Sequence, residues 1–121
     1  MAIYTKLPVY KASYSLMLKV SEILQHTPRD CRYTIGQELR NKIMNLILII
    51  YQTNRLKNKA DKILEGRDTV LHIQVYIRLM NDMRYISEKR YMDLVEMTSD
   101  ISKQLSAWEK YERNKIKRGE Q

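Results

Sequence analysis

Residues 70–86 read VLHIQVYIRLMNDMRYI. Wound as a helix, Val70, Leu71, Ile73, Val75, Tyr76, Ile77, Leu79, Met80, Met83 and Ile86 point in nearly every direction. One line escapes this: Arg67, Gln74, Arg78 and Asn81, at steps of seven, four and three, share a face. A helix that is apolar almost all round must be covered on more than one side. A chain of 121 residues can hardly do that alone, so the segment predicts a subunit that assembles. The polar line predicts an assembly with a basic lining.

Working outward, the pattern predicts three more helices. The first spans about residues 8–25. Pro8 suits a first helical turn, and Tyr10, Tyr14, Met17, Val20 and Leu24 recur at helical spacing. Pro28 disfavours helix at the residue before it. The second spans about residues 34–54, with Thr34 and Gln37 placed as a capping box. Its main stripe is Ile35, Leu39, Ile43, Leu46, Ile47, Ile50 and Tyr51, widened by Met44, Leu48 and Ile49. Isoleucines favour strands locally, but the helical period persists over a longer window than a strand needs. The 70–86 segment belongs to a third helix over about residues 59–85, with Asn58 and Asp61 as candidate N-terminal caps. That helix is expected to run through Gly66, although an interior glycine costs about 1 kcal/mol. Ser87 caps a fourth, over about residues 88–113. There Tyr91, Leu94, Thr98, Ile101, Leu105 and Trp108 alternate steps of three and four, a bundle seam. The polar tail, residues 114–121, is expected to fray. Short loops between long helices mean antiparallel neighbours. The expected fold is all-α: one domain over residues 1–121, an up-down-up-down antiparallel four-helix bundle.

Lys and Arg number 22 against 14 Asp and Glu, a formal charge of +8. That excess fits an anionic partner: nucleic acid, an acidic protein or a membrane face. The plainer alternative is a basic soluble protein with no such partner. Nine tyrosines, one tryptophan and no phenylalanine favour half-buried surfaces and interfaces. Cys31, the sole cysteine, allows no intramolecular disulfide and suits a reducing cytosol. The first seven residues are too short and polar for a signal peptide. The longest apolar stretch, residues 43–51, falls far below the roughly 20 residues of a membrane span. A soluble cytoplasmic protein is expected.

Catalysis finds little support. His26, His72 and Cys31 lack an orienting third group. Glu65, Asp68 and His72 share one helical face, and Asp93, Glu96 and Asp100 another. The Glu-x-x-His pair of bundle metal sites is absent, and Lys62 and Lys103 make solvated charge lines the simpler reading. Gly36 and Gly66 are isolated, so no phosphate-binding loop exists. No catalytic residue, metal or cofactor is expected. The basic residues are the stronger signal. One group is Arg55, Lys57, Lys59, Lys62 and Arg67. A second is Lys110, Arg113, Lys115, Lys117 and Arg118; the third is the Arg67–Gln74–Arg78 line. Long cations along a path suit phosphate, and arginine adds bidentate geometry. Without a base-reading motif, such binding is directed at the backbone. Arg78 has a structural alternative, a pair with Asp82 four residues on.

Several stretches, taken in order, carry a resemblance. They are His26-Thr27-Pro28-Arg29, Tyr33-Thr34-Ile35-Gly36, Tyr76-Ile77-Arg78-Leu79, Tyr85-Ile86-Ser87-Glu88-Lys89-Arg90-Tyr91 and Leu105-Ser106-Ala107-Trp108. Together they resemble the four-helix-bundle family that includes the accessory variability determinant (Avd) of diversity-generating retroelements. Its sister branch is the protein encoded in intervening sequences of bacterial large-subunit ribosomal RNA. The likeness covers roughly residues 8–115 and is closer to the Avd branch in its Leu-Ser-Ala-Trp ending and Pro-Arg junction.

The resemblance implies a homopentameric barrel. It also implies a non-catalytic, nucleic-acid-binding partner of a reverse transcriptase. With that enzyme it would support cDNA synthesis from a template-repeat RNA, the step that introduces adenine-directed mutations. Arg78 matches the family's basic third-helix position. Gln74 stands where relatives can carry another cation, a departure for which Arg67 could compensate. Trp108 matches the family tryptophan as a packing residue. Ile49, Ile73, Tyr76, Ile77 and Met80 are the residues expected at the subunit interface. The competing readings are a ribosomal RNA intervening-sequence protein and, from another class, a small bundle metalloprotein. A helix-turn-helix regulator lacks a recognition helix, and the basic tail lacks the apolar face of a membrane-surface helix.

Overall fold

The computed structural model describes residues 3–119. A 3₁₀ turn, Tyr4–Lys6, leads into α1 (Pro8–Leu24). A short α2 (Arg29–Arg32) precedes the long helices α3 (Ile35–Arg55), α4 (Ala60–Asp82) and α5 (Glu88–Lys117). Among the described residues every regular element is helical. The four long helices form a ring in which α1 and α4 each pack against both α3 and α5. This is the expected antiparallel bundle.

The core takes one stripe from each long helix. In α4 that stripe is Ala60, Ile63, Gly66, Val70, Ile73, Ile77 and Met80. Gly66 is therefore interior to a continuous helix. It also sits where α4 meets α3 and α5: a Cβ there would lie 3.3 Å from Ile49 Cγ2 and 3.7 Å from Leu105 Cδ1. In α5 the expected seam is present, with Leu94, Thr98, Ile101 and Leu105 buried and Tyr91 and Trp108 packed on its edges.

Four expectations need correction. The inward face of the first helix is shifted: Val20 and Leu24 are buried as expected and Tyr10 and Met17 pack on its edge. Val9, Ser13, Leu16 and Ile23 are also buried, while Tyr14 is exposed. Ser13 tolerates the interior because its hydroxyl donates to the Val9 carbonyl at 2.8 Å.

The capping box at Thr34 does not form. The short α2 lies just upstream, and the Thr34 hydroxyl donates back to the Asp30 carbonyl, while Gln37 Nε2 donates to Asn41 Oδ1 at 3.1 Å. Nor do Asn58 or Asp61 cap α4, whose N-cap is Lys59 without a side-chain bond. Ser87 does cap α5, its hydroxyl accepting from Arg90 N at 3.2 Å.

The third correction concerns helix ends. α4 stops at Asp82 rather than near residue 85, and α5 continues to Lys117 through part of the expected frayed tail. Residues 120–121 of that tail lie outside the described residues. The α4 ending has a local cause. Arg84 takes a left-handed conformation (φ 62°). Its N–H donates to Asn81 O and that of Tyr85 to Met80 O, both at 2.9 Å, which satisfies two end carbonyls in a Schellman motif.

Fourth, Ile49, Ile73, Ile77 and Met80 were expected at a subunit interface, but all four are buried inside this bundle. Tyr76 is half-buried against the same core. Helical periodicity explains the shift: these residues follow the inward stripe, so the apolar surface left over on α4 is Leu64, Leu71, Val75 and Leu79.

Candidate nucleic-acid interface

Antiparallel packing gathers basic residues that lie far apart in sequence. The C-terminal end of α3, the start of α4 and the end of α5 meet at one end of the bundle. Arg55, Lys57, Lys59 and Lys62 come from the α3–α4 turn and its flanks, and Lys110, Arg113, Lys115 and Lys117 from α5. The tie between them is Arg113, whose Nη2 lies 3.5 Å from Asp61 Oδ1 at the start of α4.

At the centre of this end is a charged triad that the sequence pattern does not show. Glu109 is buried at 7% exposure. Arg67 Nη1 reaches its Oε1 at 2.5 Å, and Arg113 Nη2 and Nε reach its Oε2, each at 2.7 Å. A buried carboxylate needs such partners. The hydrogen bond from Arg67 holds the Glu109 carboxyl below its usual range, against the opposing effect of burial, with Arg113 reinforcing it. Glu109 in turn raises the affinity of the Arg113 guanidinium for its proton. Arg67, Ser106, Glu109, Lys110, Arg113, Asn114 and Lys117 line one open groove along α4 and α5.

The remaining basic residues fall into two kinds. Some are occupied: Lys62 pairs with Glu65 at 3.0 Å, Lys115 pairs with Glu112 at 3.7 Å, and Lys59 Nζ donates to the Leu56 carbonyl. Arg55 Nη1 donates to the Tyr51 hydroxyl at 3.1 Å. Lys57, Lys110 and Lys117 are exposed and carry no ion pair among the described residues. These are the cations most open to an incoming phosphate.

The Arg67–Gln74–Arg78 line keeps its common face but is not a uniform positive lining. It runs along the junction with α5. Arg67 is engaged with Glu109, and half-buried Gln74 points Nε2 at Thr98 Oγ1, 3.5 Å away. Arg78 stands about 16 Å further along the helix from Arg67. Its side chain is 77% exposed and only loosely tied to Asp82, at 3.8 Å. The anticipated Asp82 pair therefore leaves this guanidinium available to a ligand.

Other candidate sites gain no support. Cys31 is fully buried and His26 is exposed. Burial pushes the Cys31 thiol up, with hydrogen bonds to Thr27 and Gly36 acting the other way. Among the described residues no group of three His, Cys, Asp or Glu side chains could hold a metal ion. No described helix is long and apolar enough to cross a membrane.

Glu109 and Asp61 are what sequence reasoning missed. Glu109 stands four residues before Arg113, which makes that pair visible as a helical spacing. Its bond to Arg67 spans 42 positions and emerges only when α4 packs on α5.

Fold and surface together define an antiparallel four-helix-bundle protein with one strongly basic end. The sequence matches the bAvd-like family model over residues 7–112, and the chain belongs to that family. No curated protein matches it.

Proposed function

We propose that this chain is a non-catalytic accessory subunit of a diversity-generating retroelement reverse transcriptase. In this reading several copies assemble, five by family resemblance. Their basic ends hold template RNA and cDNA against the polymerase during mutagenic synthesis. The observation that carries the reading is family membership across residues 7–112. The gathering of Arg55, Lys57, Lys110, Arg113 and Lys117 at one end supports it, because backbone phosphates need cations from more than one element along a path. Exposed apolar residues on α4, chiefly Leu71 and Val75, support assembly.

Two measurements test the reading. The reverse transcriptase encoded with this gene, co-expressed with the tagged subunit, is expected to co-purify at moderate salt. Its absence from the purified material counts against the accessory role. RNA binding is expected to weaken as salt rises, with little dependence on sequence. Lys110→Gln/Lys117→Gln lies on the groove but outside the Glu109 triad, so it removes two cations without exposing a buried charge. For single-stranded RNA it is expected to lower the salt slope by about 1.4. An unchanged slope removes the groove from the interface.

A further inference from the structure

Charge is unevenly shared between the two halves of the bundle. Residues 3–21 and 39–60, which make up most of α1 and α3, contain no Asp or Glu. Their cations include Lys6, Lys11, Arg40 and Arg55, none of which forms an ion pair among the described residues. Apart from Glu22, Asp30 and Glu38, the described carboxylates lie on or beside α4 and α5, which carry Asp93, Glu96 and Asp100 as well as the Glu109 triad. Glu22 and Glu38 stand at the opposite end of α1 and α3, and Lys19 faces Asp93, Glu96 and Asp100, so the positive potential is concentrated where Lys6, Lys11 and Arg55 lie.

The same side carries a run of tyrosines. Ring centres lie 4.8 Å apart for Tyr51 and Tyr4, 5.3 Å for Tyr4 and Tyr10, and 6.1 Å for Tyr10 and Tyr14. The first two contacts are edge-on and pin the 3₁₀ turn to α1 and α3. The third is different: Tyr10 and Tyr14 stack with their planes inclined by 28°, and Tyr14 is 50% exposed. Anchoring the turn does not require Tyr14. At the far end Arg55 lies 5.6 Å from the Tyr51 ring centre while bonding its hydroxyl. Lys11, Tyr14 and Leu18 share the outer face of α1. Arg40, Met44, Tyr51 and Arg55 recur at steps of four, seven and four on α3.

We propose that this α1–α3 face binds single-stranded nucleic acid, with bases stacking on Tyr14 beside Tyr10 and phosphates following Lys11, Arg40 and Arg55. Stacking rings beside a cationic track are what single strands recognise, with little regard to sequence. A duplex keeps its bases stacked on one another and offers this face only phosphates, so Tyr14 gives it no added hold. Lys11, Tyr14 and Arg40 lie outside the Lys110–Lys117 groove, and Arg55 stands between this face and the basic end. It rests on the reading of the chain as a nucleic-acid-binding subunit and names which form of nucleic acid is held, and where.

The test compares three probes by fluorescence anisotropy or competition: a labelled oligothymidine of about twenty nucleotides, a blunt duplex of equal length, and inorganic polyphosphate. Tyr14→Ala is expected to weaken oligothymidine binding roughly tenfold and to leave the other two unchanged. Tyr14→Trp is expected to restore it. Equal affinity of Tyr14→Ala and the unmodified protein for oligothymidine overturns the proposal, as does equal loss on all three probes. A fall in native mass with Tyr14→Ala also overturns it, by assigning the face to contact between copies. Should Tyr14→Ala fail to fold, Lys11→Gln/Arg40→Gln is expected to lower the oligothymidine salt slope by about 1.4, and an unchanged slope overturns the proposal. Failure of the unmodified protein to bind any probe overturns the nucleic-acid part of the proposed function along with it. Loss confined to Lys110→Gln/Lys117→Gln overturns only this face.

Discussion

Glu109 restrains the two arginines that would otherwise be the strongest phosphate ligands at the basic end. Its folded carboxyl is held low chiefly by Arg67. The stabilisation is therefore fully present above the unfolded carboxyl value of about 4.3, and is lost as pH falls through the lower folded value. Glu109→Gln removes the charge and leaves Arg67 and Arg113 without their common counter-ion. Because the Arg67 side chain is 40% exposed, water screens part of the loss, and a cost of about 1 kcal/mol at neutral pH is expected. Urea midpoints from pH 7 down to pH 3 check the sign: variant and parent should converge at the acid end. The same substitution should raise RNA affinity and steepen its salt dependence, since Arg67 loses its counter-ion and Arg113 keeps only its longer contact to Asp61. Unchanged RNA affinity would separate the triad from binding and leave it a purely structural clamp. Cys31 makes the opposite case, a group removed from chemistry. It is fully buried and its thiol is pushed up by desolvation, so a thiol reagent such as Ellman's is expected to react only after denaturant is added.

At the scale of elements, two backbone positions decide how helices end and meet. Arg84 holds a left-handed conformation that a side chain disfavours. Arg84→Gly keeps the Schellman bonds and relieves that strain, so a gain of about 1 kcal/mol is expected from thermal or urea unfolding. Gly36 is constrained by contact: a Cβ there would come within 2.7 Å of Leu24 Cδ2 and 2.9 Å of the Cys31 carbonyl oxygen. The carbonyl cannot swing aside as a side chain can. Gly36→Ala is therefore expected to cost about 1–3 kcal/mol, although alanine is the better helix former. Neither constraint is written in local periodicity, which is why Gly36 reads from sequence only as an isolated glycine. The four long helices were legible because their apolar spacing persists over many turns. The phase of α1 was not: Tyr10, Tyr14 and Met17 look as apolar as Val9 and Leu16, and nothing local says that Ser13 can enter the core by bonding the Val9 carbonyl. The candidate site divides in the same way. Its cations were visible as charge groups, but their joining through Asp61 and Glu109 depends on which helices become neighbours.

The whole molecule returns to the segment 70–86, whose apolar excess one bundle does not consume. Val70, Ile73, Ile77 and Met80 are spent on the internal core. Leu71, Val75 and Leu79 remain exposed on α4, and Met92 and Val95 on α5. Isolated exposed apolar residues are ordinary, but several on adjoining helices suit contact with another protein surface. The polar line beside them, with Arg78 at 77% exposure, would then lie along the edge of that contact. Substitution on the outer stripe separates assembly from folding, because these side chains add little to the core. Leu71→Glu/Val75→Glu is expected to keep the helical circular dichroism and a cooperative melt. Its native mass by light scattering should fall to that of the 14.5 kDa chain, while the parent protein runs as a multiple of it. A like-charge cluster at a contact repeated in every copy opposes association several times over, so the effect should be large. A parent protein already at 14.5 kDa at micromolar concentration would sink the assembly reading. A variant that keeps the multimer would move the contact off α4 and leave the α1–α3 or α5 surface to account for it.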